Sequence, residues 1–136
     1  MSKRRAAARF RSFALAEHGS MLDLKLAARL TPCPQRSALY LRHAQDESVH
    51  ARMFAKQANA VRGALGQPSL PAPNADIEGL FEGLGELAFL AFVHLGERRA
   101  CSLFEAHRDH FARREPQTAK LFDRILADEA QHATYT

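Results

Sequence analysis

Cysteine and tryptophan are scarce: the 136 residues include only Cys33 and Cys101, and no tryptophan. Two thiols make neither a disulfide framework nor a cysteine-based zinc site. No apolar run is long enough to span a bilayer, because the longest candidate, Leu84 to Leu95, is interrupted by Glu86 and His94. The alternating pattern of β-strands is also missing. We therefore expect a soluble, cytoplasmic, all-α protein.

The charge is only mildly basic, at +4, and hydrophobic residues make up 46% of the chain. This composition is ordinary for a globular protein, and the length suits one domain spanning residues 1–136. Five basic residues fall within the first eleven positions. They indicate a solvated helix start, although a basic cluster also suits an RNA or acyl-carrier partner.

Apolar residues recur at spacings of three and four, which predicts four helices at roughly residues 5–29, 35–62, 76–113 and 116–136. Pro32 and Pro34 separate the first two helices. Gln67 to Asn74 contains three prolines and reaches roughly 30 Å if extended. This segment predicts a long crossover between two helical hairpins, as in some four-helix bundles.

One motif occurs twice, as Asp46-Glu47-Ser48-Val49-His50 and as Asp128-Glu129-Ala130-Gln131-His132. A Glu and a His three residues apart lie on one face of a helix, about 5 Å apart along its axis. Both side chains can therefore bind a single cation. The first motif falls on the second predicted helix and the other on the fourth.

The first and third helices each carry one glutamate, Glu17 or Glu97, within an apolar row. Glu17 precedes Glu47 by about 30 residues, and Glu97 precedes Glu129 by a similar interval. A helix rises about 1.5 Å per residue, so Glu17 and Glu47 lie at about the same distance from the turn that joins their two helices. The same holds for Glu97 and Glu129. Four carboxylates and two imidazoles are thus predicted to converge at one depth.

Four buried carboxylates at one level would repel each other strongly, and two divalent cations would cancel their charge. The predicted ligands are Glu17, Glu47, His50, Glu97, Glu129 and His132. Glu17 and His50 are expected on one ion, Glu97 and His132 on the other. Glu47 and Glu129 are expected to bridge as the catalytic carboxylates. Oxygen and nitrogen ligands without thiolate favour two iron ions, with manganese as the alternative.

Asp46 and Asp128 directly precede the motif glutamates and have two interpretations. Each could accept a hydrogen bond from a metal-bound histidine of the opposite motif, because such a ring needs its second N–H fixed. Alternatively, they are surface acids beside Arg42 and Arg124. Three further histidines touch the apolar rows and are predicted to be core or rim residues, not ligands: His43, His94 and His107.

The paired Asp-Glu-x-x-His motifs resemble those of the ferritin-like di-iron carboxylate superfamily over essentially the whole chain. The spacings are closest to small hydroxylases, namely the demethoxyubiquinone hydroxylases and the hydroxylase of thiomethylated isopentenyl-adenosine in tRNA. The stretch from Glu97 to Phe104, with Cys101 four residues after the glutamate, is similar to the corresponding helix of that tRNA hydroxylase. The resemblance implies a ferritin-like four-helix bundle and O2 activation at a di-iron centre.

The sequence departs from rubrerythrins, which carry a further carboxylate where this chain has Ala100 and commonly add a cysteine-rich iron module. The first expectation is therefore a di-iron oxidase or monooxygenase that takes electrons from a separate reductase. Its substrate would be a small molecule or tRNA. The alternatives are iron oxidation and storage, rubrerythrin-like peroxide reduction, or a metal-free helical interaction module.

The predicted fourth helix also looks short. Only four residues follow His132, whereas about 20 residues of the predicted third helix precede Glu97. An apolar face left bare on that helix is unusual for a monomer. We expect either a homodimer that covers it or a missing C-terminal segment.

Overall fold

The computed structural model describes all residues from Met1 to Thr136 and contains five helices and no strands. The helices are α1 (Lys3–Leu30), α2 (Pro34–Ala64), α3 (Leu80–Leu84), α4 (Glu86–Phe111) and α5 (Pro116–Tyr135). The prediction of an all-α protein is confirmed. No helix has the length and apolar character needed to cross a membrane. The chain divides into two compact units, Met1–Gly79 and Leu80–Thr136, which are described separately.

The first unit is a hairpin of α1 and α2. The Ser2 hydroxyl accepts a hydrogen bond from the Arg5 backbone N–H and so caps the start of α1. Extended backbone at Thr31 ends that helix, and Pro34 begins α2, where a missing N–H costs nothing. Phe54 packs against Phe10 and Phe13 in the core of the hairpin.

The segment after α2 is held along α1 by hydrogen bonds. The Asn59 side chain bonds both the backbone N–H and the carbonyl of Leu70, and Arg11 donates to the carbonyl of Pro71 at 2.7 Å. Further on, the Gly79 backbone N–H donates to Asp23 at 2.9 Å. Arg11 and Asp23 lie about 18 Å apart along the axis of α1. The chain therefore runs back beside α1, as the predicted crossover requires.

The second unit contains α3, α4 and α5. Its core includes three aromatic rings in contact, Phe104, Phe111 and Phe122, of which Phe122 is fully buried. Pro116 occupies the first turn of α5, as the sequence predicts. The bounds of α1, α2 and α5 lie within two residues of the predicted helices.

The prediction of one continuous helix over residues 76–113 is wrong. The structure begins its first helix there at Leu80 and interrupts it at Gly85, whose φ of 80° and ψ of 162° fall in a region that essentially only glycine adopts. A short α3 and a long α4 result. Apolar periodicity runs through the break, but a single backbone conformation at Gly85 ends one helix and starts the next.

One side of α4 is apolar and exposed. Leu87 is 85% exposed, and Phe92 and Leu95 are both more than half exposed. The buried side of the same helix carries Phe89 and Glu97. The predicted apolar row is therefore bare only in part, because Leu87 is exposed whereas Phe89 is buried. What covers that row stays a prediction.

Candidate metal centre

The first unit buries three of the six predicted ligands together. Glu17 comes from α1, and Glu47 and His50 lie one turn apart on α2. Their relative exposures are 6%, 2% and 0%. The Nδ1 atom of His50 lies 3.8 Å from Oε1 of Glu47 and 4.0 Å from Oε1 of Glu17. The ligand atoms of all three residues lie within 4.8 Å of one another.

The second unit repeats this arrangement with the other three predicted ligands. Glu97 comes from α4, and Glu129 and His132 lie one turn apart on α5. Nδ1 of His132 lies 3.5 Å from Oε2 of Glu97 and 3.9 Å from Oε2 of Glu129. All three side chains are buried, and Glu129 is only 1% exposed. Each hairpin therefore holds two carboxylates and one imidazole in its interior.

The distances within each trio fit a shared cation better than direct hydrogen bonds. A hydrogen bond between an imidazole N–H and a carboxylate is about 2.7–2.9 Å long. Two atoms that each lie about 2.1 Å from one ion, at angles of 90–140°, are instead about 3.0–4.0 Å apart. The Nδ1 atoms of His50 and His132 lie in this second range.

The donor atoms also fit a metal chemically. Nδ1 of His50, Nδ1 of His132 and one oxygen each of Glu47, Glu97 and Glu129 are buried atoms that accept or donate no hydrogen bond, although each side chain makes other contacts. Mixed oxygen and nitrogen donors suit iron or manganese. The two buried groups are thus compatible with metal binding and with a ferritin-like fold.

His43, which the sequence predicts to be a core or rim residue, is buried beside a predicted ligand. It is 1% exposed, and its Nε2 atom lies 3.4 Å from Oε1 of Glu47, one helical turn away. The signal was present in the sequence, since residues four apart share a helix face.

The other two flagged histidines have ordinary partners. Nδ1 of His107 donates to the backbone carbonyl of Leu103 at 2.8 Å, one turn earlier on α4. Nδ1 of His94 lies 2.9 Å from the hydroxyl of Thr136. That neither residue is a ligand stays a prediction. His107 is buried and thus serves as a natural comparison for His43.

Asp46 and Asp128 are half-buried, whereas the neighbouring Arg42 and Arg124 are exposed. Neither aspartate is a fully solvated surface acid, and both make further contacts. A half-buried carboxylate beside each motif is suited to accept a hydrogen bond from a histidine ring. That each one serves the histidine of the opposite motif stays a prediction.

Cys101 lies one turn after Glu97 on α4 and is partly buried. Burial is the main cause that raises the pKa of its thiol above the usual value, and the negative charge of Glu105 adds to it. His132 acts in the opposite direction. The net effect favours the protonated thiol, which is a poor metal ligand.

A shallow groove follows the exposed side of α4. Its lining consists of six residues of that helix: Leu95, Arg98, Arg99, Ser102, Leu103 and Ala106. Glu97 does not contribute to this lining and is buried. The groove is therefore a surface feature of α4 and gives no information about a substrate.

No family model, curated protein or solved structure matches this chain. The likeness to ferritin-like di-iron proteins consequently depends on the six residues and their geometry within each unit.

Proposed function

We propose that this protein is a non-haem di-iron oxidoreductase that activates O2. In this proposal Glu17 and His50 bind one ion, and Glu97 and His132 bind the second. Glu47 and Glu129 bridge the two. Four carboxylates supply a charge of −4, which two divalent cations cancel, so that the buried acids become tolerable.

The observation that carries the proposal is the repetition of one buried trio. Each hairpin contributes a glutamate from its first helix and a Glu-x-x-His pair from its second, which is the ligand pattern of ferritin-like dinuclear sites. Within each trio the imidazole Nδ1 lies 3.5–4.0 Å from two carboxylate oxygens. Two carboxylates and one imidazole, repeated at the same places in both hairpins, form a donor set that a divalent cation can bind.

The ferritin-like topology is part of the same proposal. A bundle of two hairpins with one long connection needs a chain that travels back along the first hairpin before the second begins. The segment between α2 and α3 makes this return, as its hydrogen bonds to Arg11 and Asp23 record. Pairing the two hairpins at the level of their glutamates would then complete the six-residue ligand set.

When bound, two ferrous ions supply the electrons that O2 activation requires, and a separate reductase restores them. The protein residues hold the ions and keep bulk water away, because the six ligands are all at most 6% exposed. Neutral imidazoles and ionised carboxylates are the forms that bind metal, so binding releases protons. The substrate is proposed as a small molecule or a tRNA nucleoside.

Anaerobic titration with Fe(II), followed by exposure to O2 and absorption or Mössbauer spectroscopy, tests this function. We expect two irons per chain and their oxidation by O2. Glu47→Ala should lose both ions, because it removes the proposed bridge. Glu105→Ala is the matched control, since Glu105 is an exposed acid on α4.

The same titration distinguishes the alternatives. Catalytic consumption of O2 with a reductase, without iron accumulation, supports the oxidoreductase. Accumulation of many irons per chain would instead indicate iron storage, and turnover with peroxide alone would indicate a peroxidase. If wild-type protein binds no iron or manganese, the chain is a metal-free helical module and the proposal is wrong.

A further inference from the structure

We propose that His43 is a seventh protein ligand of the centre and binds metal through Nε2. This inference depends on the dinuclear site proposed above and adds a donor to it. It also predicts that the two ions differ, because only one of them would gain the additional imidazole.

The position of His43 on α2 supports this role. His43 lies four residues before Glu47 and His50 lies three residues after it, so all three share one helix face. Nε2 of His43 is 3.4 Å and Nδ1 of His50 is 3.8 Å from the same atom, Oε1 of Glu47. The two imidazoles therefore approach the same carboxylate along α2, His43 from its N-terminal side and His50 from its C-terminal side.

A bridging Glu47 needs an ion on each side of its carboxylate. The ion on the C-terminal side is the one that His50 would bind together with Glu17. The ion on the N-terminal side would lie beside His43. At 3.4 Å, the separation of Nε2 and Oε1 is in the range expected for two ligands of one ion.

The second motif has no counterpart of this histidine. Four residues before Glu129 the chain has Ile125, which is fully buried and packs in the apolar core of its unit. The two hairpins thus place the same two ligands in each motif but differ at this one position. An isoleucine shows that the helix itself does not need an imidazole there, so the histidine at 43 has a specific use.

His107 is a second buried histidine and has a different contact. It makes a 2.8 Å hydrogen bond to a backbone carbonyl of its own helix. His43 instead directs a ring nitrogen at a carboxylate that is proposed to bind metal.

The experiment compares His43→Ile, His43→Gln and His43→Gly with wild type and with His107→Gln. Anaerobic Fe(II) binding is measured with Mössbauer spectra of the loaded protein, and Co(II) is used as a second, air-stable probe. Circular dichroism checks that each variant is folded. His43→Ile copies the residue of the second motif, whereas glutamine keeps a hydrogen-bond donor but lacks an imidazole.

We expect wild type and His107→Gln to bind two ions with two distinct Mössbauer signals. His43→Ile and His43→Gln should both weaken one ion by more than about 100-fold, which exceeds the about 10–100-fold loss typical of a residue that only supports a ligand. The other ion should remain. Added imidazole should restore the second ion and its signal in His43→Gly.

Three results would overturn the inference. Two ions bound normally in all His43 variants would show that His43 is not a ligand, and would leave the proposed function intact. Loss in His43→Ile but not in His43→Gln would assign His43 a hydrogen bond to Glu47 instead. No metal in wild type would remove the proposed function and this inference together.

Discussion

Replacing Glu17 with glutamine should have opposite effects on the stability of the metal-free and the metal-bound protein. Glu17 is 6% exposed, and its ligand oxygen lies within 4.8 Å of that of Glu47. Glutamine keeps the shape of the side chain and removes its charge. Without metal, the substitution therefore relieves repulsion between two buried carboxylates. With metal, it removes a charged ligand.

The stabilisation of the metal-free protein can be calculated from the distance between the ligand oxygens of Glu17 and Glu47. Two unit charges 4.8 Å apart repel by about 3 kcal/mol at an effective dielectric constant of about 20. The entropy of unfolding of 136 residues is roughly 0.29 kcal/mol/K. The metal-free variant should thus melt up to about 10 °C higher than wild type.

In the metal-bound protein, Glu17→Gln should lower the stability instead. A free metal concentration 1,000 times the dissociation constant stabilises the folded state by about 4 kcal/mol. For this chain that corresponds to a rise in Tm of about 14 °C. Glu17→Gln should lose most of this rise, because its neutral amide binds the cation weakly. The order of the two melting temperatures should therefore reverse when metal is added.

Thermal unfolding followed by circular dichroism, in EDTA and then in anaerobic Fe(II) or Co(II), measures both effects. Glu105→Gln controls for the general loss of a carboxylate, because Glu105 is exposed. It should change Tm little in either condition. A metal-free Glu17→Gln protein that melts below wild type, or a wild type whose Tm does not respond to metal, would refute the reasoning.

Three further predictions concern the fold and its thiol. Phe122→Ala should destabilise by about 3–5 kcal/mol in urea unfolding, because Phe122 is fully buried against Phe104 and Phe111; a loss below 1 kcal/mol would contradict this packing. Gly85→Ala should cost about 1–3 kcal/mol in the same assay, because its backbone conformation suits only glycine. Alkylation of Cys101 at pH 8 should be slower in folded than in unfolded protein and should accelerate above pH 9, because burial raises its pKa.

The helices and the two trios could be predicted because their causes are local. Spacings of three and four residues define a helix face, and the same spacing places Glu47 beside His50 and Glu129 beside His132. Glu17 and Glu97 required one further step, the equal count of residues from each hairpin end. The structure brings each of them within 4.0 Å of its predicted histidine.

The break at Gly85 could not be predicted from periodicity. Apolar residues continue through it, and a glycine inside a helical pattern is usually tolerated at a cost of about 1 kcal/mol. What ends α3 is the backbone conformation of one residue, Gly85, with a φ of 80°. The contacts of the crossover could not be predicted either. Its prolines indicate an extended chain, but they do not specify that Asn59, Arg11 and Asp23 form hydrogen bonds with it.

Charge compensation and ligand identity are separate requirements on this centre, and the chain offers a test of each. Glu17→Gln removes one charged oxygen donor and leaves His43 and His50 in place, so it should raise the stability of the metal-free protein and weaken the binding of one ion. His43→Ile leaves every carboxylate in place and removes one nitrogen donor, so its main effect should be on the affinity and the spectrum of one ion. If both substitutions altered only stability, the buried acids would be polar core residues and the oxygen chemistry would have no basis. If Glu17→Gln weakened one ion and His43→Ile weakened the other, the six residues predicted from the sequence and the proposed seventh would act as one metal-binding set.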